Sequence, residues 1–243
     1  MINKFFLIIF NYLISLVDLP NKLKIKKFFI TKLFNHTLTV IDIGAHKGET
    51  INFFLKNFKI SKIYAFEPNK DLVKKLSNKK KFKINKVELL DFGVGDKETN
   101  NFLKITIDTA SSTFNEINTS SQYYIRKCRI LSLFSQNKSI IKKNQETKII
   151  KLSSFIENRK INHIDVLKID TEGFEYNILK GIDKDDFKKI NFIYFEHHFD
   201  NMISKNYKFS DINSFLRENN FEQKYKIRMS LRKSFEYIYE KKK

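Results

Sequence analysis

The stretch Thr39-Val-Ile-Asp-Ile-Gly-Ala-His-Lys-Gly48 runs from an apolar segment into a glycine turn. Just beyond it, Ile51, Phe54, Leu55 and Phe58 recur at helical spacing. The reading is a first strand over residues 39–43, a tight turn, and an amphipathic helix opening near Gly48. Such a turn is expected to offer bare backbone N–H groups at a helix start. In open parallel sheets, ligands collect at the carboxyl ends of the strands. His46 stands where a G-x-G-x-x-G fingerprint needs its second glycine, which argues against a nicotinamide site.

Short strands and helices alternate outward from this turn, as a parallel sheet with crossover helices requires. Residues 62–66 read as a second strand ending at Glu67-Pro68. A carboxylate at that position can accept hydrogen bonds from the two ribose hydroxyls of a nucleoside. A helix over 69–76 follows, with Asn69 as its N-cap. Residues 86–94 read as a third strand, with Asp91 and Gly93 at its end to flank an adenine, and 101–107 as an extension of the same sheet.

Residues 109–146 break the rhythm and read as an insertion or lid. Order returns with a strand at 147–151, a helix at 153–159 and a fourth strand at 164–169. That strand runs into Lys168-Ile-Asp-Thr-Glu-Gly173. Lys168 and Asp170 share a face by strand alternation, and a lysine inside a buried strand needs a partner. A helix from Glu175 is expected to stop at Gly181 as a C′ glycine. Residues 191–195 form a fifth strand, and 211–217 a helix. The runs 221–227 and 235–239 are expected to close the sheet as an antiparallel hairpin.

The 243 residues carry a formal charge of +19, with 46 Lys and Arg against 27 Asp and Glu. The lysines are spread along the chain without a recognised nucleic-acid module, so no nucleic-acid partner is expected. Abundant Lys, Asn, Ile and Phe with no Trp suggest a coding bias. The six surviving glycines, two of them at Gly44 and Gly48, therefore mark positions that need them. The lone Cys128 excludes an internal disulfide and fits a cytoplasmic location. The apolar stretch 5–17 is short for a membrane span. It reads as a helix that could rest on a membrane surface, with Lys22, Lys24, Lys26 and Lys27 just downstream. The whole chain reads as one domain: an N-terminal helical extension (1–36), a cofactor-binding core (37–200) containing the insertion (109–146), and a C-terminal helix and hairpin (201–243).

Taken together, the stretches 42–48, 65–68, 92–96, 111–113, 168–173 and 195–196 resemble the FkbM family of methyltransferases in order and spacing. The resemblance implies an α/β, class I (Rossmann-like) methyltransferase fold. Its sheet would be mainly parallel and twisted, with helices on both faces. It also implies S-adenosyl-L-methionine as donor and a hydroxyl acceptor on a saccharide, glycolipid or similar small molecule. Asp42, Gly44, Ala45, His46, Gly48, Glu67, Pro68, Asp91 and Gly93 would then surround the donor. Ser111, Ser112, Glu172 and Glu196 would face the acceptor. Removing the proton of a sugar-type hydroxyl requires a base. Asp170 and His197 are the candidates beside Lys168, and His197 is preferred to its neighbour His198. No tight ligand spacing supports a metal. The alternatives are a basic peripheral protein that binds membrane or nucleic acid while retaining the fold, or an RNA methyltransferase.

Overall fold

The computed structural model describes residues 17–132, 139–230 and 233–243. Its strands are β1 (Thr37–Ile43), β2 (Lys59–Phe66), β3 (Val87–Leu90), β4 (Gly93–Gly95), β5 (Thr99–Thr106), β6 (Ile141–Lys151), β7 (Ile164–Ile169), β8 (Ile190–His198), β9 (Phe221–Arg228) and β10 (Ser234–Lys241). Seven of them form one sheet in the order β3-β2-β1-β7-β8-β10-β9. The first five of these pair in parallel, and β10 runs antiparallel between β8 and β9, as the expected hairpin. The order reverses between β1 and β7, which makes their carboxyl ends the switch point where ligands bind.

Two expectations fail. The third strand divides: β3 ends at Leu90, and β4 leaves to pair with β6. Likewise β5 does not extend the main sheet but joins β6 in a second sheet of order β4-β6-β5. Alternation identifies a strand without saying which edge it will meet. The insertion is also more ordered than a loop, because β6 begins inside it and a helix precedes β6.

The helices are α1 (Leu19–Leu33), α2 (Glu49–Asn57), α3 (Lys70–Ser77), α4 (Gln122–Ser132), α5 (Leu152–Asn158), α6 (Glu175–Lys180), α7 (Lys184–Phe187) and α8 (Phe209–Glu218). Asn69 caps α3 as expected, its side chain accepting from Asp71 N at 3.1 Å. Gly181 does follow α6, yet with φ −81° rather than in the left-handed region. Close packing explains it: a Cβ there would lie 2.0 Å from Gly95 O. Apart from Val17, the stretch 5–17 lies outside the described residues.

Strand alternation divides the core. Ile41, Ile43, Leu167, Ile169, Ile193 and Phe195 point to one face, beneath α5, α6 and α8. Leu38, Val40, Val166, Phe192, Tyr194 and Ile238 point to the other, beneath α1 and α2. Phe29 of α1 is fully buried there, its ring against Phe54, Phe192 and Tyr194. The start of α1 is tied to the β9–β10 turn, where Asp18 Oδ1 accepts from Ser230 N at 3.1 Å.

Replacing Phe29 with Ala should cost about 3–5 kcal/mol, the usual penalty for emptying an aromatic site. Urea unfolding checks this; a cost below about 1 kcal/mol would mean that α1 is not part of the cooperative core.

Candidate active site

On the α1/α2 face, the strands turn from apolar to polar as they near their carboxyl ends. Val40 gives way to Asp42, Val166 to Lys168, and Phe192 to Tyr194. Asp42, Lys168 and Tyr194 lie side by side in register across β1, β7 and β8. Two residues further along stand Gly44, Asp170 and Glu196, and Glu196 is the direct partner of Glu236 on β10. A cleft of about 490 Å³ opens over these rows, lined by Glu49, Asp170, Glu172, Glu196, Glu236, Lys22 and Lys168 together with Ile25, Phe53, Phe54 and Met229. A smaller cavity of about 50 Å³ continues past His46 to Glu67, Pro68, Thr109 and Ser112.

Close approach shapes the turn after β1. Gly44 has φ +90°, and a Cβ on it would fall 1.9 Å from Asp170 O. Its backbone N–H groups are not bare, contrary to expectation. Those of Gly44 and Ala45 donate to Phe66 O, and that of Gly48 to Ala45 O. His46 N donates to Glu67 Oε2 at 2.7 Å, and Lys47 N to Glu49 Oε2 at 3.1 Å. The loop is therefore no phosphate cradle. What it offers is carboxylate. Asp42 is fully buried, both its side-chain oxygens lack a hydrogen-bond partner, and burial pushes its pKa up to about 7. Burial likewise raises Glu67 to about 7, although its two oxygens accept from His46 N and Asn69 N. Each oxygen of Glu67 keeps a second lone pair. A loop with occupied N–H groups and unsatisfied carboxylates suits a cationic nucleoside.

The Lys168–Asp170 pair forms as the sequence suggested, with Nζ 2.9 Å from Oδ2. Burial works against the ammonium, but Asp170, Glu236 and Asp42 outweigh it and hold its pKa above the usual lysine range. The turn that follows is strained, with Glu172 at φ +52° and Gly173 at φ +96°. Buried Glu175 holds it, accepting from Gly173 N at 2.9 Å and from Tyr207 Oη at 2.6 Å. Among the described residues, no group of three or more His, Cys, Asp or Glu is arranged to hold a metal.

Not every predicted residue reaches the cleft. His197 faces away, its ring against Phe199, Tyr207 and Phe209, and burial drives its pKa down to about 3. The side chain behind the acidic wall is His198, with Nε2 3.3 Å from Glu172 and 3.6 Å from Glu196, and Nδ1 3.6 Å from Asp200. Alternation along β8 leaves one face to Glu196 and His198 and the other to His197. Asp91 is exposed, Gly93 is buried against Phe114, Gly48 is packed against Phe82 and Asp42 is fully buried beneath the loop, and none of the four lines a cavity. Ser112 lines the smaller cavity, whereas Ser111 is bonded to Lys127 of α4, which also pairs with Asp108 at 2.7 Å. The sequence reading missed Tyr194, Glu236 and Glu49. Glu236 had a signal: a charged residue on the buried side of a strand, between Ser234 and Ile238.

Residues 42–222 match the Methyltransferase FkbM domain. The chain belongs to the FkbM methyltransferase family. Its cofactor is accordingly S-adenosyl-L-methionine, and its fold is the class I, Rossmann-like methyltransferase fold. Among solved structures it is similar to an FkbM methyltransferase from Methylobacillus flagellatus KT, at TM-score 0.50 and 11% identity, over 84% of this chain and 44% of that one. TrmK of M. capricolum, in complex with S-adenosyl-homocysteine, aligns at TM-score 0.48 and 17% identity, over 88% of this chain and 66% of its own. The magnesium protoporphyrin IX methyltransferase of Synechocystis PCC 6803 aligns at TM-score 0.49 and 10% identity, over 94% of this chain and 79% of its own. The chain thus spans less than half of the M. flagellatus protein, and the likeness to it is one of fold. No curated protein is significantly similar in sequence.

Burial would lower the pKa of His198, but Glu172, Asp200 and Glu196 outweigh it and raise the group from 6.5 to about 10. A base whose pKa rises on folding stabilises fully below its unfolded value and loses that contribution as pH climbs to the folded one. Replacing His198 with Gln should therefore destabilise most below pH 6.5 and progressively less toward pH 10. Urea unfolding at about pH 6 and about pH 9.5 checks it; equal costs at both would exclude a stabilising imidazolium.

Proposed function

We propose that this methyltransferase transfers a methyl group to a hydroxyl of a saccharide, glycolipid or similar small-molecule precursor. The observation that carries the reading is the Asp170 carboxylate, which lines both cavities while Lys168 holds it at 2.9 Å. The donor, when bound, supplies an already electrophilic methyl, so the chain's work is alignment and exclusion of water. Asp42, buried beneath the loop, would attract the donor's cationic portion by its charge and Glu67 would take its ribose hydroxyls, with Gly44, Ala45, His46 and Pro68 shaping the surrounding wall. Asp170 accepts the acceptor's proton, and Lys168 positions it. Glu172, Glu196 and Ser112 face the acceptor.

A polyanion suits such a cleft poorly, because five of its lining residues are carboxylates and two are lysines. The overall basic charge is therefore not read as a sign of RNA. On α1, Leu19 and Leu23 are exposed beside Lys24 and Lys27, and Phe34 is exposed just past its end, a pattern suited to an anionic bilayer surface. Among the described residues, no helix is long and apolar enough to cross a membrane. We take the compartment to be cytoplasmic, in keeping with the free Cys128.

Calorimetry should detect S-adenosylmethionine binding, and Asp42→Asn and Glu67→Gln should each weaken it about tenfold or more, as loss of a charged hydrogen bond requires. Asp170→Ala should keep the donor and lower kcat by about 10²–10⁴, the range of a general base. An intact chain that binds no donor overturns the reading. Unchanged turnover in Asp170→Ala removes that residue from it.

A further inference from the structure

Three carboxyl side chains, those of Glu172, Glu196 and Glu236, gather on one wall of the cleft. Glu196 and Glu236 are direct partners across the antiparallel β8–β10 ladder. Like charges in that relation destabilise a sheet, so their placement calls for something that offsets it. Glu236 lines the cleft, and its Oε2 is buried without a hydrogen-bond partner. The lining cation Lys168 pairs with Asp170 at 2.9 Å and is shared with Asp42 and Glu236. His198 lies behind the wall rather than in it, 3.6 Å from Glu196. The donor, with a sulfonium, an ammonium and a carboxylate, adds a single net positive charge. With Asp42 and Glu236 held at about 7 and Glu172 at about 8, these carboxyls are only partly ionised at neutral pH, and a bound cation would favour their charged forms.

Resting on the methyl-transfer reading above, we infer that the acceptor carries a protonated amine beside its reacting hydroxyl, and that Glu236 and Glu196 hold this ammonium. The remaining wall fits such a group. Tyr194 already stacks on one ammonium, with Lys168 Nζ 4.9 Å from the centre of its ring, and its hydroxyl bonds Glu236 and favours the charged carboxylate. Glu196 and Glu236 come from separate strands, and among the described residues no three carboxylates or histidines converge as metal ligands. That spread suits a bulky organic cation better than a compact divalent ion. Burial, then mutual repulsion, raises Glu172 to about 8, and burial raises Glu236 to about 7. Both carboxyls therefore stand to gain from a neighbouring cation.

The test uses the full chain loaded with S-adenosylhomocysteine and titrated with glucosamine, N-acetylglucosamine and glucose 6-phosphate, and separately with Mg²⁺ or Mn²⁺ alone. Glucosamine should bind about tenfold or more tighter than its N-acetyl counterpart, the scale of a charge-assisted hydrogen bond. That preference should largely vanish in Glu236→Gln, with S-adenosylhomocysteine binding retained as proof of folding. Glu196→Gln serves the same purpose if the first variant does not fold. Equal affinities, no binding of the amine, or tighter binding of the phosphate overturns the inference. So does a metal that binds alone and is lost with Glu236→Gln. Failure to bind S-adenosylhomocysteine at all would instead bring down the methyl-transfer reading on which the inference rests.

Discussion

The ammonium of Lys168 is buried at the mouth of the central strand β7, 2.9 Å from Asp170 Oδ2 and 4.9 Å from the centre of the Tyr194 ring. It also faces Asp42 on β1 and Glu236 on β10. One charge therefore ties together side chains from four strands of the main sheet. Such a group is expensive to assemble in a low-dielectric interior, and removing one member leaves the others uncompensated. The site is built around this constraint. Asp42 and Glu236 can stay close to ionisation at neutral pH because Lys168 pulls down pKa values that burial has raised.

Close backbone packing supplies the remaining precision. Gly44 lets the turn after β1 press against Asp170 O, which brings the glycine loop and the end of β7 together. Gly181 permits the same intimacy with Gly95 O, so that α6 packs against the small sheet. Glu175, at the start of α6, fastens the strained Thr171–Gly173 turn through Gly173 N and Tyr207. Helix α4 is tied to the turn after β5 through the Lys127–Asp108 pair. None of these contacts joins residues adjacent in the chain.

Much of the framework was legible in the sequence. The β1 turn, Glu67 at the end of β2, the Asn69 cap, the Lys168–Asp170 pair and the closing hairpin all occur where periodicity and turn chemistry indicated. His197 was misread because choosing between adjacent residues needs the exact phase of β8 at its end. Asp91 and Gly93 were misread because β4 changes sheets two residues after β3 ends. Glu236 was overlooked because it is separated from Lys168 by most of the C-terminal region, and only pairing of β10 with β8 brings the two together.

Local sequence was thus enough to specify the alternating strands and helices, the glycine turn after β1 and the family, since strand phase, capping and tight turns depend on a few neighbouring residues. Tertiary pairing decided the character of the cleft. It closed off the backbone N–H groups of the loop with Phe66 O and Glu67, turned His197 away, and set Glu196 opposite Glu236. Those outcomes depend on which strand edges meet and in what register, and electrostatic energy in a buried site depends on distances across the sheet rather than along the chain.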